Sequence, residues 1–248
     1  MKKVALITGA ASGIGKVTAL KFVEKGYCVA ISDCDERGIN VIGQQIIELG
    51  GEAIVKQCDI SDPGQVASMI KDVVQEFGQL DVACNNAGIE GEMAKTAEYT
   101  IEEWDHVLNI NLRGQWLCMK YEIPEMIERG GVVINVSSIL GTVGTAQTPA
   151  YTASKHALVG LTKVAALDYA ENNIRVNAVG PGYIETPMLE RAGILSDPNT
   201  KAKAVGLHPI GRLGTAREVA NAIVWLASDE APFITGHTLL IDGGYIAQ

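Results

Sequence analysis

The sequence has few residues with which to bind a metal or build a disulfide framework. Its 248 residues include five cysteines, scattered without a Cys-x-x-Cys pair, and four histidines without metal-ligand spacing. Both patterns disfavour a zinc site and structural disulfides. We therefore expect no metal, and buried thiols in a reducing compartment.

Positive charge and long apolar runs are also scarce. Lys and Arg number 20 against 29 Asp and Glu, a net charge of -9, and an acidic chain repels a phosphate backbone. No stretch approaches the ~20 apolar residues of a membrane span. The N-terminal apolar run Val4–Ile7 is too short for a signal peptide. We therefore expect a cytoplasmic protein that binds neither nucleic acid nor membranes.

The chain instead alternates short apolar runs with helical patterns. The runs that predict strands are Val4–Thr8, Cys28–Ser32, Ala53–Gln57, Val82–Asn85, Val132–Ser137, Arg175–Val179 and Thr238–Ile241. The stretches that predict helices are Gly13–Glu24, Arg37–Leu49, Pro63–Glu76, Ile101–Glu128, Tyr151–Ala170 and Ala216–Ala227. Several strands are apolar throughout, which is typical of a parallel sheet covered on both faces. We therefore predict a single α/β domain over residues 1–248, a doubly wound (Rossmann) parallel sheet of seven strands with helices on both faces.

The least regular stretch runs from Pro181 to Pro209. In an α/β fold such a stretch is either a binding loop or an ordinary surface excursion. We assign a substrate loop to about residues 183–209, with the surface excursion as the alternative.

A glycine-rich turn, Thr8–Gly15, follows the first predicted strand and leads into a helix. Its glycines, Gly9, Gly13 and Gly15, with Ser12 and Ile14 between them, let a helix N-terminus approach a pyrophosphate closely. The spacing differs from G-x-G-x-x-G, and a tight turn without a ligand is the alternative.

Asp33 lies 24 residues after Gly9, directly behind the second predicted strand. A carboxylate there hydrogen-bonds the ribose hydroxyls of NAD and opposes the 2′-phosphate of NADP. Two like charges at about 4 Å repel by up to about 4 kcal/mol. Asp33 therefore predicts NAD as the cofactor, unless it serves only as a turn or helix-capping residue.

These motifs, with Asn85-Asn86-Ala87-Gly88 after the fourth strand and Ile241-Asp242-Gly243-Gly244 near the C-terminus, resemble the short-chain dehydrogenase/reductase family. The resemblance covers essentially the whole chain. It implies an oxidoreductase that moves a hydride between a nicotinamide cofactor and a secondary alcohol or ketone. It also implies cofactor contacts from Asp59 and Ile60 to the adenine, from Asn86, Ala87 and Gly88, and from Pro181, Gly182, Ile184 and Thr186 around the nicotinamide.

Tyr151 and Lys155 lie four residues apart on a predicted helix, so their side chains share one face. A free tyrosine has a pKa of ~10, and a nearby ammonium and a cationic nicotinamide both favour its ionised form. The resemblance implies that Tyr151 exchanges a proton with the substrate and that Lys155 also holds the cofactor ribose. Ser138, at the carboxyl end of a predicted strand, matches the family's substrate-orienting serine, whereas its neighbour Ser137 does not.

Two further expectations rest on the resemblance alone. Asn111 matches the fourth member of the family's catalytic set, which distorts its helix locally and holds a water beside Lys155. The family also implies a homotetramer, with the predicted helices Ile101–Glu128 and Tyr151–Ala170 at one interface.

The predicted substrate pocket is built from the segment after Gly88, Ile139–Thr148 and the loop from Ile184 onward. Its apolar residues are Ile139, Leu140, Val143, Met188, Leu189, Ile194 and Leu195. Such a lining predicts an apolar or cyclic alcohol or ketone as substrate, although the same residues also suit packing of the loop onto the domain. Glu90, Glu92 and Glu185 lie nearby in sequence and disfavour anionic substrates.

Two other functions stay open at the level of sequence. One is an NADPH-dependent 3-oxoacyl-[acyl-carrier-protein] reductase of the same family, which Asp33 and the acidic balance disfavour but which Lys120 and Arg129 leave some room for. The other is a sensor that binds NAD without turnover. A sensor needs no catalytic residues, so the presence of Tyr151 and Lys155 disfavours this function.

Overall fold

A parallel sheet of seven strands forms the centre of the molecule, whose computed structural model describes residues 2–248. In spatial order the strands are β3 (Ala53–Gln57), β2 (Cys28–Asp33), β1 (Val4–Thr8), β4 (Val82–Asn85), β5 (Gly131–Val136), β6 (Ile174–Pro181) and β9 (Thr238–Ile241). Every neighbouring pair in this order is parallel. The predicted seven-stranded parallel sheet is confirmed. Two strands that the sequence did not predict, β7 (Ile184–Glu185) and β8 (Gly214–Thr215), pair with each other outside it.

Helices connect the strands and cover the sheet. They are α1 (Gly13–Glu24), α2 (Glu36–Glu48), α3 (Pro63–Phe77), α4 (Ile101–Leu108), α5 (Gln115–Met126), α6 (Pro149–Asp168), α7 (Pro187–Arg191), α8 (Pro198–Gly206) and α9 (Ala216–Ala227). The starts and ends of the predicted helices agree with these to within two residues. Helices α7 and α8 lie in the stretch predicted as an irregular loop.

The sheet separates two apolar cores, and β1 shows how one strand serves both. Val4 and Leu6 face a core closed by α3, α5 and α6, whereas Ala5 and Ile7 face a core closed by α1, α2 and α9. Successive side chains of a strand point to opposite faces, so a strand buried on both faces must be apolar at every position. This explains the uninterrupted apolar runs and confirms helices on both faces.

The strand order reverses beside β1, and this reversal positions the site. From β1 the chain moves outward through β2 and β3 and then crosses back to β4 on the other side of β1. Crossovers therefore leave in opposite directions from the carboxyl ends of β1 and β4. A crevice opens at such a switch point, where doubly wound sheets bind ligands.

The structure differs from the sequence predictions at two further places. The predicted helix Ile101–Glu128 is interrupted by a π-helical turn, Asn109–Gly114, between α4 and α5. Four cysteines are buried as expected, but Cys34 is exposed. The expectation is wrong for Cys34 because this residue follows β2 at the open carboxyl edge of the sheet.

Among residues 2–248, no helix combines the length and apolarity needed to cross a membrane. Nor do these residues bring three or more His, Cys, Asp or Glu side chains together in a group that could hold a metal ion.

Candidate active site

The glycine-rich turn is packed against the segment that follows β4. Gly9 and Gly13 have φ angles of +65° and +54°, which favour glycine. A Cβ on Gly15 would overlap the carbonyl oxygen of Gly9. Asn86 holds the turn by donating from Nδ2 to the carbonyls of Thr8 and Gly9, at 3.0 Å each. Close packing of backbone on backbone therefore explains these glycines.

Helix α1 begins with its first N–H groups turned toward an open groove. Ser12 occupies the N-cap position, but its side chain makes no capping hydrogen bond. The first N–H groups of a helix have no partner within the helix, and they carry partial positive charge. Gly9, Ser12, Gly13 and Ile14 line the groove, which has a volume of about 600 Å³, whereas Gly15 serves the packing behind it. The turn can therefore accept an anionic group.

Asp33 lies at the far end of this groove, at the carboxyl end of β2. Its carboxylate accepts hydrogen bonds from the backbone N–H of Ala11 through Oδ2 and of Asp35 through Oδ1, both at 3.0 Å. The N-cap of α2 is Asp35, which accepts from Gly38. Asp33 thus steadies the turn and also presents negative charge to the groove.

Other predicted cofactor residues line the same groove. Asp59, Ile60, Asn86, Ala87 and Gly88 all face it, as the resemblance implies. Further residues that the sequence did not predict also line the groove. They adjoin strand ends or lie on the π-helical turn, and they are Ser32, Cys34, Asp35, Cys58, Ile89 and Ile110. Their position beside predicted site residues in the chain is the signal that could have identified them.

Tyr151 and Lys155 meet Ser138 where the groove joins a second cavity. The Lys155 ammonium lies 5.5 Å from the centroid of the Tyr151 ring and donates to the carbonyl of Val136 at 2.8 Å. Ser138 Oγ accepts from the N–H of Leu140 at 3.1 Å, and its hydroxyl lowers the pKa of the neighbouring Tyr151. Ser137 points the other way and donates to the Lys155 carbonyl at 3.1 Å, which agrees with the choice of Ser138 over Ser137.

The protonation of this trio differs from the expectation in one respect. Burial raises the pKa of Tyr151 to about 12, the Glu90 carboxylate adds to the rise, and the Ser138 hydroxyl opposes it. Burial also lowers the pKa of Lys155 to about 8. In the protein alone, desolvation therefore dominates the pKa of the phenol, and Lys155, with a pKa of about 8, loses its charge before the phenol ionises.

Asn111 lies in the π-helical turn between α4 and α5 and is fully buried. Its side-chain amide forms a pair of hydrogen bonds with the backbone of Ile89, accepting at 2.8 Å and donating at 2.7 Å. A π-helical turn is a frequent mark of functional sites. The local distortion expected at Asn111 is present, and it ties this helix to the segment after Gly88.

The segment Pro181–Ile184 forms the wall opposite Tyr151, together with Thr186. The N–H of Tyr183 donates to Nε2 of His208 at 3.2 Å, and Nδ1 of His208 lies 2.7 Å from the carbonyl of Ala204. Because a carbonyl only accepts, Nδ1 carries the hydrogen and the ring is neutral. The sequence analysis missed His208, which joins the end of α8 to this wall.

The second cavity has a volume of about 390 Å³ and is mostly apolar. Of the predicted pocket residues, the ones that line it are Ile139, Leu140, Met188, Leu189 and Ile194. Val143 and Leu195 do not line it, whereas Met93, Tyr183 and Ala192 line it from within the predicted segments without having been named individually. Glu90 lines the cavity, whereas Glu185 pairs with Lys201 at 3.0 Å outside it.

A phosphate-accepting groove that opens beside a Ser-Tyr-Lys trio and an apolar cavity defines a class of protein. It is a nicotinamide-dependent oxidoreductase acting on CH–OH groups.

The comparisons with known proteins narrow the class to a family. The profile described as Enoyl-(Acyl carrier protein) reductase matches residues 9–246. The cyclohexanol dehydrogenase of Acinetobacter sp. (strain SE19) is 42% identical over 99% of this chain and 96% of its own length. The 3-oxoacyl-[acyl-carrier-protein] reductase FabG of Thermotoga maritima is 40% identical over 98% of each chain. The crystal structure of NAD+-bound xylitol dehydrogenase superposes with a TM-score of 0.94 at 34% identity, covering 98% of each chain. The chain belongs to the short-chain dehydrogenase/reductase family.

Proposed function

We propose that this protein is an NAD-dependent dehydrogenase of apolar, cyclic secondary alcohols, with Tyr151 as the proton-transfer residue. The observation that carries the proposal is the junction of the two cavities. Ser138, Tyr151 and Lys155 line the apolar substrate cavity, which shares Asn86, Gly88 and Thr186 with the acidic cofactor groove.

The groove fits a dinucleotide in both chemistry and shape. The uncapped N-terminus of α1 suits a diphosphate, and Asp33 offers acceptor oxygens for ribose hydroxyls. Asn86, Gly88 and Thr186 line both cavities, so a molecule that fills the groove reaches the catalytic trio. When bound, NAD+ supplies the hydride acceptor.

The charge of the groove favours NAD over NADP. Asp33, Asp35 and Asp59 line its adenosine end. The only Lys or Arg among the groove-lining residues that the structure describes is Arg191, which belongs to α7 near Thr186 rather than to the Asp33 end. A 2′-phosphate beside Asp33 would meet repulsion of up to about 4 kcal/mol without a compensating cation.

The proton chemistry follows from the trio. Ser138 orients the substrate oxygen beside Tyr151. The ionised phenolate of Tyr151 takes the hydroxyl proton during oxidation, and the neutral phenol returns a proton during reduction. Since burial holds the pKa of Tyr151 near 12, positive charge in the site must favour the ionised phenol when cofactor is bound. Lys155 supplies part of that charge. Asn111 binds the backbone of Ile89, next to Gly88, and from this position it holds a water that relays protons to Lys155.

The substrate class rests on the lining of the second cavity and on one relative. A volume of about 390 Å³ walled by Ile139, Leu140, Met188 and Leu189 suits a compact ring. The Acinetobacter relative, 42% identical, is a cyclohexanol dehydrogenase by name.

A 3-oxoacyl-[acyl-carrier-protein] reductase is the second candidate, favoured by the 40% identical Thermotoga relative. The acidic cofactor groove counts against NADPH in this role. Of the two cations considered for carrier-protein docking, Arg129 is engaged with Gln79 and Lys120 lies over the Trp116 ring at 5.7 Å.

We also propose a homotetramer that associates through α5 and α6. Trp116, Val164 and Leu167 expose 43%, 54% and 81% of their surface on these two helices, and exposed apolar patches of this kind mark association surfaces. The single cofactor-binding domain over residues 1–248, its substrate loop at about residues 183–209 and the cytoplasmic location remain predictions.

A turnover assay with paired cofactors tests the proposal. We expect NADH formation from cyclohexanol and NAD+, a much lower rate with NADP+, and weak reduction of a 3-oxoacyl thioester by NADPH. Tyr151→Phe should lower kcat by at least about 100-fold, the lower end for a lost acid–base group, with NADH affinity nearly unchanged.

Three outcomes would contradict parts of this proposal. Retained turnover in Tyr151→Phe would remove the tyrosine from its role. Faster thioester reduction with NADPH would favour the reductase. Tight NADH binding without turnover of any alcohol or ketone would favour a sensor.

A further inference from the structure

Besides Lys155, two charged side chains line the mostly apolar substrate cavity, and neither has a part in the proposed proton chemistry. They are Glu90, on the segment after β4, and Arg191, the last residue of α7. The two segments form different walls of the cavity. The pair therefore links the segment after β4, in the core of the fold, to the short helix α7.

The two side chains form an ion pair that leaves much of their hydrogen-bonding capacity unused. Arg191 Nε lies 3.5 Å from Glu90 Oε1, which is longer than the ~2.7–2.9 Å of a strong charge-assisted hydrogen bond. The second carboxylate oxygen and the two terminal guanidinium nitrogens lie outside that contact. The side chain of Glu90 is 34% exposed and that of Arg191 is 61% exposed, so a ligand in the cavity can reach both.

Glu90 also lies close enough to the reacting position to influence it. Its negative charge contributes to raising the pKa of Tyr151. When the reacting oxygen of a ring contacts Ser138 and Tyr151, the remaining ring atoms therefore experience the negative charge of Glu90.

Desolvation decides which rings suit this arrangement. A purely apolar ring would displace water from Glu90 and Arg191 without replacing its hydrogen bonds, and unpaired polar groups are costly to bury. A second hydroxyl on the ring can donate to the carboxylate and accept from the guanidinium at once. Such hydrogen bonds to charged groups change affinity by about 10- to 100-fold.

We propose that the Glu90–Arg191 pair is a subsite for a second hydroxyl of the substrate, so that ring diols are preferred over cycloalkanols of the same size. This inference rests on the proposed function, since it names the substrate class of the same cavity. A ring carboxylate suits the subsite less well than a hydroxyl, because the negative charge of Glu90 repels it.

The test compares substrates within one preparation of each protein. For each, kcat/KM with NAD+ is measured for the better of cyclohexane-1,3-diol and cyclohexane-1,4-diol, for 4-methylcyclohexanol and for 4-hydroxycyclohexanecarboxylate. The wild type should favour the diol over 4-methylcyclohexanol by at least about 10-fold. Glu90→Leu should abolish that ratio and raise relative use of the carboxylate, since Arg191 is then free. These opposite changes cannot arise from partial unfolding, because all substrates share one active fraction.

Two further variants sharpen the result. Arg191→Met should reduce the diol ratio without the gain for the carboxylate, and it serves if Glu90→Leu does not fold. Glu92→Leu is the matched control, because it removes an exposed carboxylate two residues away that does not line the cavity. It should leave both ratios unchanged.

The failure of this inference differs from that of the proposed function. If 4-methylcyclohexanol is oxidised with NAD+ but the diol is not preferred, or if the ratio survives in Glu90→Leu and Arg191→Met, the subsite is refuted alone. If no cyclic alcohol is oxidised, the proposed function and the subsite are both refuted.

Discussion

Glu122 provides a test of how the fold tolerates a buried carboxyl group. It lies on α5 and is fully buried. Oε2 accepts from Asn85 Nδ2 at 3.0 Å, while Oε1 has no hydrogen-bond partner among residues 2–248. Asn85 also donates to Asn135, which donates to Thr162 at 3.0 Å, so Glu122 ends a polar chain that joins α5, β4, β5 and α6.

Burial raises the pKa of Glu122 from 4.5 to about 7, against the hydrogen bond from Asn85 that lowers it. Folding therefore strengthens proton binding at this site. As the pH rises from about 4.5 to about 7, the unfolded chain loses the proton before the folded protein does, so stability is lost across this interval. At about 1.4 kcal/mol per tenfold change in proton affinity, the full loss is about 3 kcal/mol above pH ~8.

Glu122→Gln removes the titration and keeps an acceptor for Asn85. Relative to the wild type, the variant should be spared about 1 kcal/mol at pH ~5 and about 3 kcal/mol at pH ~8.5. Urea denaturation at one protein concentration measures the free energy of unfolding at both pH values. The difference of about 2 kcal/mol between them is the informative quantity, because pH-independent effects of the amide cancel in it.

Glu125→Gln is the matched control, since Glu125 is exposed on the same helix. It should change stability by less than about 0.5 kcal/mol at either pH. If Glu122→Gln has the same effect at both pH values, burial does not hold the proton on Glu122 and the reasoning is refuted.

Three further predictions follow from the site. Asp33→Asn should raise the ratio of NADP+ to NAD+ use by at least about 10-fold, a third of the maximal repulsion; an unchanged ratio in steady-state kinetics would remove Asp33 as the selector. His208→Gln keeps an acceptor for the Tyr183 N–H and should leave the KM for NAD+ within about threefold, whereas the shorter His208→Asn should raise it at least about fivefold by stranding that N–H; equal effects would show that the hydrogen bond does not position this wall. Gly15→Ala should destabilise the fold by about 1–3 kcal/mol through overlap with the backbone, whereas Gly206→Ala, which meets nothing within 4 Å at the end of α8, should change stability by less than about 1 kcal/mol; equal losses in urea denaturation would contradict the packing argument.

The site residues that the sequence identified share a feature of placement. Asp33, Asn86 and Ser138 each follow a strand directly, and the carboxyl ends of parallel strands meet at one edge of the sheet. Tyr151 and Lys155 belong to one helical turn, so their proximity follows from spacing alone. Local sequence pattern therefore predicts the position of a site residue wherever a regular strand or helix places that residue at the site.

The residues that the sequence analysis missed depend on contacts between distant segments. Arg191 is 101 positions from Glu90 in the chain, and His208 meets Tyr183 only because α8 returns to the wall that follows β6. The π-helical turn around Asn111 has no local sequence signal that separates it from the helices on either side, since its stabilising hydrogen bonds go to Ile89.

The sequence by itself determined the layered architecture and the glycine-rich turn, because hydrophobic periodicity is a local property, and its motifs indicated the proposed catalytic trio through the family resemblance. Only the tertiary structure decided the electrostatic state of that trio and the charges facing the substrate. Desolvation depends on every segment that excludes water from a group, and no single stretch of the chain records it. That is why burial could reverse the direction expected for the pKa of Tyr151 while leaving its place in the site unchanged.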